Sequence, residues 1–446
     1  MHNTRIRQVL NGTGVGAALA RGAGSAFLIK MGAAGSAFVS YLVLANVLGP
    51  KAFGDYVFVL NWITTILLFA QCGLDTAALR FVASYAEQSD WAHLRGFLRR
   101  SAQLVLAAAL VSAATLTVVI GLLGDRLASE LRRTFLVGAP LLVALAALYV
   151  CAFQLQGLKQ VIKSRLPPEV GRPLLVAGLV AALAGFAPRH VSAASTLALN
   201  LFATLLTVMV SLALLRGARP PAVRAVRAQY DTQRWIRVAL ALLLLTAFHQ
   251  VLSRTDVLML GSLLNTEAAG GYAIAALVSQ LVLLGLGAVN VIAAPMIAEL
   301  YWRGRLAELQ RLVRLAAIAV LATSVPTLVV LVVFGSPVLR LFGPRFGAGY
   351  PALVVLCFGQ LINALAGSVG LLMSMTGHQK QAAGIVAVAA VLNVVLNLLL
   401  IPPLGIQGAA LATALTTALW NLAMLVYVSR RLQINPTLLP LAVGRR

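Results

Sequence analysis

Acidic residues are scarce in this 446-residue chain: 12 Asp and Glu stand against 35 Lys and Arg, and charged residues of every kind make up only 11%. A soluble chain of this length needs far more polar surface than that, so a soluble enzyme is excluded first. The shortage of carboxylates also argues against interfacial glycosyl transfer, because the loops are short and no Asp-x-Asp pair occurs. The three cysteines, Cys72, Cys151 and Cys357, fall in apolar stretches without metal-ligand spacing, so they read as small apolar packers and no metal is expected. The glycine run GTGVGAALARGAG at 12–24 follows no predicted strand and lacks the Lys-Ser/Thr ending of a phosphate loop. It reads as a small-residue helical lead-in, and no nucleotide or other cofactor is expected.

What the chain does have is apolar length, since 60% of its residues are hydrophobic. A helix needs roughly 20 apolar residues to cross a hydrocarbon core of about 30 Å. Such runs are predicted at 22–48, 54–73, 102–123, 134–157, 170–187, 191–215, 238–263, 269–298, 312–334, 348–374, 380–401 and 406–429, about twelve transmembrane helices in an all-α integral membrane protein. Basic residues test the count, because cytoplasmic loops are enriched in Lys and Arg. With the N-terminus inside, the predicted inner segments carry 26 of them and the outer segments 7, with Lys30 and Arg254 inside helices. A missed helix would reverse this bias downstream, so both termini are expected in the cytoplasm. The net charge of +23 is therefore read as membrane topology, and nucleic acid is not expected as a partner.

The most basic loop, RGARPPAVRAVRAQYDTQRWIR at 216–237, lies at the midpoint of the chain. It is read as a cytoplasmic linker between an N-terminal lobe at 1–215 and a C-terminal lobe at 238–446. Its arginines also suit an anionic leaflet. Shifting the chain by 216 positions places VLGPKAFGDYVF at 47–58 on LLNTEAAGGYAI at 263–274, so that Gly54 meets Gly270 and Tyr56 meets Tyr272. Further along, Tyr85 meets Tyr301 and Arg95 meets Arg311. An even number of helices in each lobe keeps the two copies in one orientation, a parallel repeat of the kind secondary transporters use.

Ionisable groups within spans are costly and face a bundle interior or a wet cavity. Lys30 and Arg254 are candidate substrate-binding cations; the alternative is snorkelling to the cytoplasmic interface for Lys30, and a packed interhelix ion pair or a snorkel to the outer face for Arg254. Arg254 and Asp256 are two residues apart and point about 200° apart on a regular helix, so they cannot pair. Asp256 is the candidate for cation coupling. Asp75, near Arg80 in sequence, is a candidate gate or interfacial salt bridge. Arg80, Arg95 and Arg311 are candidates for the same cytoplasmic gate, or for capture of an anionic group there. His249 could titrate near neutrality. Asn393 and Asn397, four apart, are expected to hydrogen-bond between helices.

The stretches VLGPKAFGDYVFVLNWITTILLFAQCGLDTAALRFVASYAE, SRTDVLMLGSLLNTEAAGGYAIA and LLMSMTGHQKQAAGIVAVAAVLNVVLNLLLIPPLGIQGAALATALTTALWNLAMLVYVSRR resemble the polysaccharide-export and O-antigen flippases of the multidrug/oligosaccharidyl-lipid/polysaccharide superfamily. The third carries Asn393, Asn397, Pro402, Gly405, Gly408 and Ala409 in the family's order. The resemblance implies two six-helix lobes in a V around a cationic cavity, and alternating access. It implies that an undecaprenyl-pyrophosphate-linked oligosaccharide is moved to the outer leaflet of a bacterial inner membrane. Lys30 and Arg254 would then contact the pyrophosphate. Polysaccharide polymerase and glycosyltransferases would be partners, alongside membrane lipids. Two other readings are a cation-coupled multidrug antiporter and a non-transporting scaffold of a cell-envelope assembly.

Overall fold

A computed structural model describes the backbone over residues 15–437, and side chains over 28–437 except at 125, 244–246, 249 and 251. The candidate His249 and the whole glycine run at 12–24 therefore lie outside the described side chains. The described chain is helical: α1 (Val15–Ala70), α2 (Leu74–Glu87), α3 (Trp91–Leu123), α4 (Ser129–Gly157), α5 (Val161–Phe186), α6 (Ala193–Ala218), α7 (Thr232–Leu263), α8 (Thr266–Trp302), α9 (Leu306–Arg340), α10 (Pro344–Ala366), α11 (Val369–Met375), α12 (Gln379–Leu404) and α13 (Ile406–Leu432). Among the described residues, ten helices are long and apolar enough to cross a membrane.

The first of these is really two. α1 bends at Gly49, whose φ of 70° and ψ of 173° are not helical, and resumes at Pro50. Glycine takes the left-handed φ without strain and proline is preset for a first helical turn, so the Gly-Pro pair ends one span and starts the next. With the two arms of α1 counted apart and α7 added, all twelve expected segments are helical.

The boundaries differ where polar residues extend a span. α3 starts at Trp91 rather than near 102, because Asp90 caps it by accepting from the His93 N–H at 3.1 Å. The expected run 348–374 is broken at Gly367, with φ 71°, into α10 and α11. The short turn expected between 187 and 191 is present, a single 3₁₀ turn at Pro188–His190. The basic segment 216–237 is no open loop: α6 runs on to Ala218, one helical turn forms at Ala222–Ala225, and α7 starts at Thr232.

Two compact units are present: 32–273 with 341–345, and the remainder, so the border falls inside α8 between Ala273 and Ile274. The lobes proposed at 1–215 and 238–446 concern the repeat, whereas these units reflect packing. In the unit 32–273, α4 is the central helix. Its apolar stretch is 61% buried, against 17–39% in the other candidate spans. Leu141, Leu142, Leu145, Leu148 and Leu155 are fully buried along it, against α6, α3 and α2. Close approach is set at Gly138, where an added Cβ would come within 2.5 Å of Ile63 and 2.9 Å of Leu197.

The repeat glycines meet in this unit. A Cβ on Gly270 would sit 2.8 Å from Cα of Gly54, and one on Gly54 would overlap the Thr266 carbonyl. Beside them Thr266 Oγ1 donates to Asp55 Oδ1 at 2.6 Å. The sequence pairing of Gly54 with Gly270 thus marks a helix crossing where small residues let two backbones touch.

In the other unit, Ile297, Leu309, Val313, Val369, Leu372, Met373, Met424 and Val428 form one buried cluster. Asn397 Nδ2 donates to Asn393 Oδ1 at 3.0 Å, and Asn393 Nδ2 reaches Thr416 Oγ1 on α13 at 3.4 Å. Both asparagines are fully buried, as the interhelix role requires. Phe186, Leu122 and Val388 point outward, 93%, 82% and 71% exposed. On helices of this length such exposure is the pattern of a surface solvated by lipid.

Candidate functional site

α7 is seated on its neighbours at two points. At one end Gly261 faces the Phe58 ring of α1 so closely that a Cβ would overlap it. At the other, Gly73, with φ 71°, lies against the Ala239 carbonyl and would also clash if it carried a side chain. Gly73 closes the turn that ends α1 and starts α2. Arg254 lies between these two seats.

Arg254 Nη1 donates to the carbonyl of Thr64 at 2.9 Å. A carbonyl has two lone pairs, so Thr64 can serve both its own helix and the guanidinium. The arginine lines a chamber of about 120 Å³ with Thr64, Gln71, Asp75, Tyr149 and Gln250; Leu67, Leu68 and Phe153 form its apolar wall. Neutral donors and acceptors surround one cation and one carboxylate. A buried charge needs such hydrogen-bonding partners to be tolerated. The remaining guanidinium N–H groups give the chamber the chemistry of an anion contact.

Asp75 belongs to this chamber and not to a pair with Arg80. Its Oδ1 accepts from the Thr76 N–H at 2.7 Å. Arg80 is exposed on α2 and makes no ion pair among the described residues. One turn along a helix from residue 75 ends near 78 or 79, so a five-residue separation turns Arg80 away. Burial pushes the Asp75 carboxyl above the usual carboxylate range, against the opposing bonds from Thr76.

Asp256 leaves α7 on the other side, as its two-residue offset from Arg254 requires. It is buried, and Tyr272 Oη donates to its Oδ2 at 2.5 Å. The repeat counterpart Tyr56 is also buried, and its Oη accepts from Asn200 Nδ2 at 2.8 Å. Both repeat tyrosines thus tie a polar side chain of another helix.

The other candidates are scattered. Lys30 belongs to the other compact unit, where it is exposed and its Nζ lies 3.9 Å from the place of a Cβ on Gly287. Arg311 is exposed on α9 in that unit. Arg95 is half-buried and acts as a clamp: its Nη1 donates to the carbonyls of Arg224, at 2.9 Å, and Val226. The Arg95–Arg311 match of the repeat is therefore not matched in role. Gln71, Tyr149 and Gln250 were not singled out by sequence. The available signal was that a glutamine in an apolar helix needs a polar partner, a signal too common to select them.

This architecture is the fold of the multidrug/oligosaccharidyl-lipid/polysaccharide transporters. An inward-facing multidrug resistance MATE family transporter of that superfamily superposes with a TM-score of 0.71 at 13% identity, covering 88% of this chain and 92% of that one. The lipid II flippase MurJ in an inward closed conformation superposes with a TM-score of 0.66 at 15% identity, covering 90% and 87%. The chain belongs to the polysaccharide biosynthesis protein family, whose model matches residues 19–301. It is similar to the "Probable flippase AglR" of Haloferax volcanii, 26% identical over 184 residues, which span 41% of this chain and 39% of that relative. The match therefore covers about two fifths of the relative's length.

Proposed function

We propose that this protein is a flippase that moves a lipid-linked oligosaccharide, carried on undecaprenyl pyrophosphate, across the bacterial cytoplasmic membrane by alternating access. The proposal places it in polysaccharide, O-antigen or exopolysaccharide biosynthesis, as a transporter and not an enzyme, with both termini in the cytoplasm. The observation that carries the reading is Arg254, a cation held in the interior of a membrane unit by the Thr64 carbonyl and facing a polar chamber. Membership in the polysaccharide biosynthesis family supplies the class of cargo. Arg254 takes the anionic group. Asp256, with its Tyr272 partner, is the coupling carboxylate. Asp75 gates the chamber from α2.

The charge of the cargo supplies part of the driving force. Moving a charge across the membrane potential is worth about 2.3 kcal/mol per 100 mV. A pyrophosphate with two negative charges leaving a negative-inside cell therefore gains roughly 4–5 kcal/mol per 100 mV.

Depletion of the protein in its host tests the assignment. Lipid-linked glycan is expected to accumulate on the inner leaflet, labelled by a membrane-impermeant lectin only after permeabilisation. Glycan export unchanged by depletion would overturn the proposal.

A further inference from the structure

The segment 216–237 is stapled to the start of α3. Besides the Arg95 clamp, the Gln229 N–H donates to the Ala92 carbonyl at 3.0 Å. Trp235 is fully buried and its Nε1 donates to Tyr85 Oη at 3.0 Å. Gly96 lies so close to the Gln229 carbonyl that any side chain would collide with it.

This stapling shapes an open cavity of about 490 Å³ lined by Arg95, Arg99, Arg216, Arg219 and Arg224 over an apolar floor of Leu98 and Val223. The size lies within the range of about 300–1,000 Å³ typical of ligand sites. No carboxylate is in the lining. Three of the arginines are fixed from behind. Arg95 is held by linker carbonyls; Arg224 Nη2 donates to the Arg216 carbonyl at 3.1 Å; Arg219 Nη2 donates to Gln154 Oε1 at 3.3 Å. Gln154 is itself anchored on the Leu98 carbonyl at 2.8 Å. The Nε of Arg219 is buried without a hydrogen-bond partner among the described residues. Arg99 is exposed at the rim.

Like charges gathered in one cavity repel, and the effect is visible at Arg219. Burial is the main cause that pulls its guanidinium below its usual range; Cys151 opposes it, and the smaller contributions of the Arg224 and Arg216 charges lower it further. A bound anion would remove the repulsion and supply the acceptor that Arg219 Nε lacks. Guanidinium forks match phosphate oxygens bidentately, so several of them around one concavity select a multiply charged phosphate over a single carboxylate. Basic pockets at the edge of a membrane unit hold lipid phosphates in the same way.

We propose that this arginine-lined cavity is a second anion site, separate from the Arg254 chamber, and that it binds a multiply charged phosphate headgroup. The headgroup belongs either to an anionic phospholipid of the surrounding leaflet or to a diphosphate-linked polyprenol. The site does not depend on the flippase reading, because its chemistry asks for an anion whatever the cargo.

The test uses the full-length protein in phosphatidylcholine nanodiscs, with inorganic pyrophosphate as the calorimetric probe. Saturable binding is expected, weakened at least tenfold in Arg99→Gln/Arg216→Gln and unchanged in Arg189→Gln, an exposed arginine of the Pro188–His190 turn outside both sites. Both Arg99 and Arg216 side chains lack hydrogen bonds among the described residues, so the double variant should fold; Arg99→Lys/Arg216→Lys, which keeps the charge, should recover part of the affinity. Cardiolipin and a polyprenyl diphosphate are then titrated as competitors. Displacement by the first identifies the leaflet as the source, and by the second the cargo. Absence of saturable pyrophosphate binding, binding no weaker in the double variant than in Arg189→Gln, or failure of both lipids to compete overturns the proposal.

Discussion

Arg254 and Arg219 lie in the same compact unit, and each is oriented by a fixed oxygen, the Thr64 carbonyl at 2.9 Å and Gln154 Oε1 at 3.3 Å. Their surroundings are opposite. Arg254 is the single arginine of a chamber of about 120 Å³ that also holds Asp75, two glutamines and Tyr149. Arg219 shares about 490 Å³ with four other arginines and no carboxylate. A site with one cation balanced by neutral acceptors can hold an anion weakly enough to release it. Five arginines without a carboxylate favour an anion that stays. On the proposed readings the two places serve different tasks, passage at Arg254 and standing attachment at Arg219, which net charge alone merges.

Breaking the chamber should have the largest effect. Arg254→Ala removes the charge-assisted bond to Thr64 and any contact to the cargo, each worth about 1.5–3 kcal/mol. Export of surface glycan is expected to fall at least about tenfold at matched protein level. Arg254→Lys, which keeps the charge but loses the planar fork, should fall between the two. Undiminished export by the alanine variant would remove the chamber from the transport route.

The cavity can be loosened without touching its rim. Arg95→Gln withdraws the donor from the Arg224 and Val226 carbonyls, at a cost of about 1–3 kcal/mol in stability. Amide hydrogen exchange over 222–229 should quicken, while exchange around Arg254 stays as it was. If 222–229 exchanges no faster, the Gln229 and Trp235 bonds suffice to hold the segment, and Arg95 contributes only its charge to the cavity.

How far these two places were legible in the sequence depends on the distance over which their parts are linked. The spans were legible because apolar length is a local property, and Gly54 and Gly270 stood out because a repeat aligned them. Arg254 was legible as a charge within an apolar run. Its partner was not: Thr64 offers a backbone carbonyl, which any residue has. Asp75 was assigned to Arg80 by nearness in sequence, whereas the fold brings it to a chamber shared with α7. The arginine cavity was divided in the sequence between 95–99 and 216–224, and only the stapling of one to the other made them a single site. Asn393 and Asn397 were legible as a pair because i and i+4 share a helix face.

The smallest expected effect concerns the one carboxylate of the chamber. Burial raises the Asp75 carboxyl above its ordinary value of 3.8 in the folded protein. Between the unfolded value and the raised native one, the native state binds more protons than the unfolded state, so stability falls as pH rises through that window. Above the window the full penalty is present, and below it the penalty is gone. Asp75→Asn removes the titration while keeping the side chain's size. The variant should therefore be slightly more stable than the parent at neutral pH and should flatten the acid side of a melting-temperature profile. The two profiles should converge at low pH. Asn also keeps an oxygen able to accept from the Thr76 N–H, so a loss of stability at neutral pH would mean that the negative charge itself is stabilised in the chamber. Arg254 would then be its partner at longer range, across the chamber that the two side chains share.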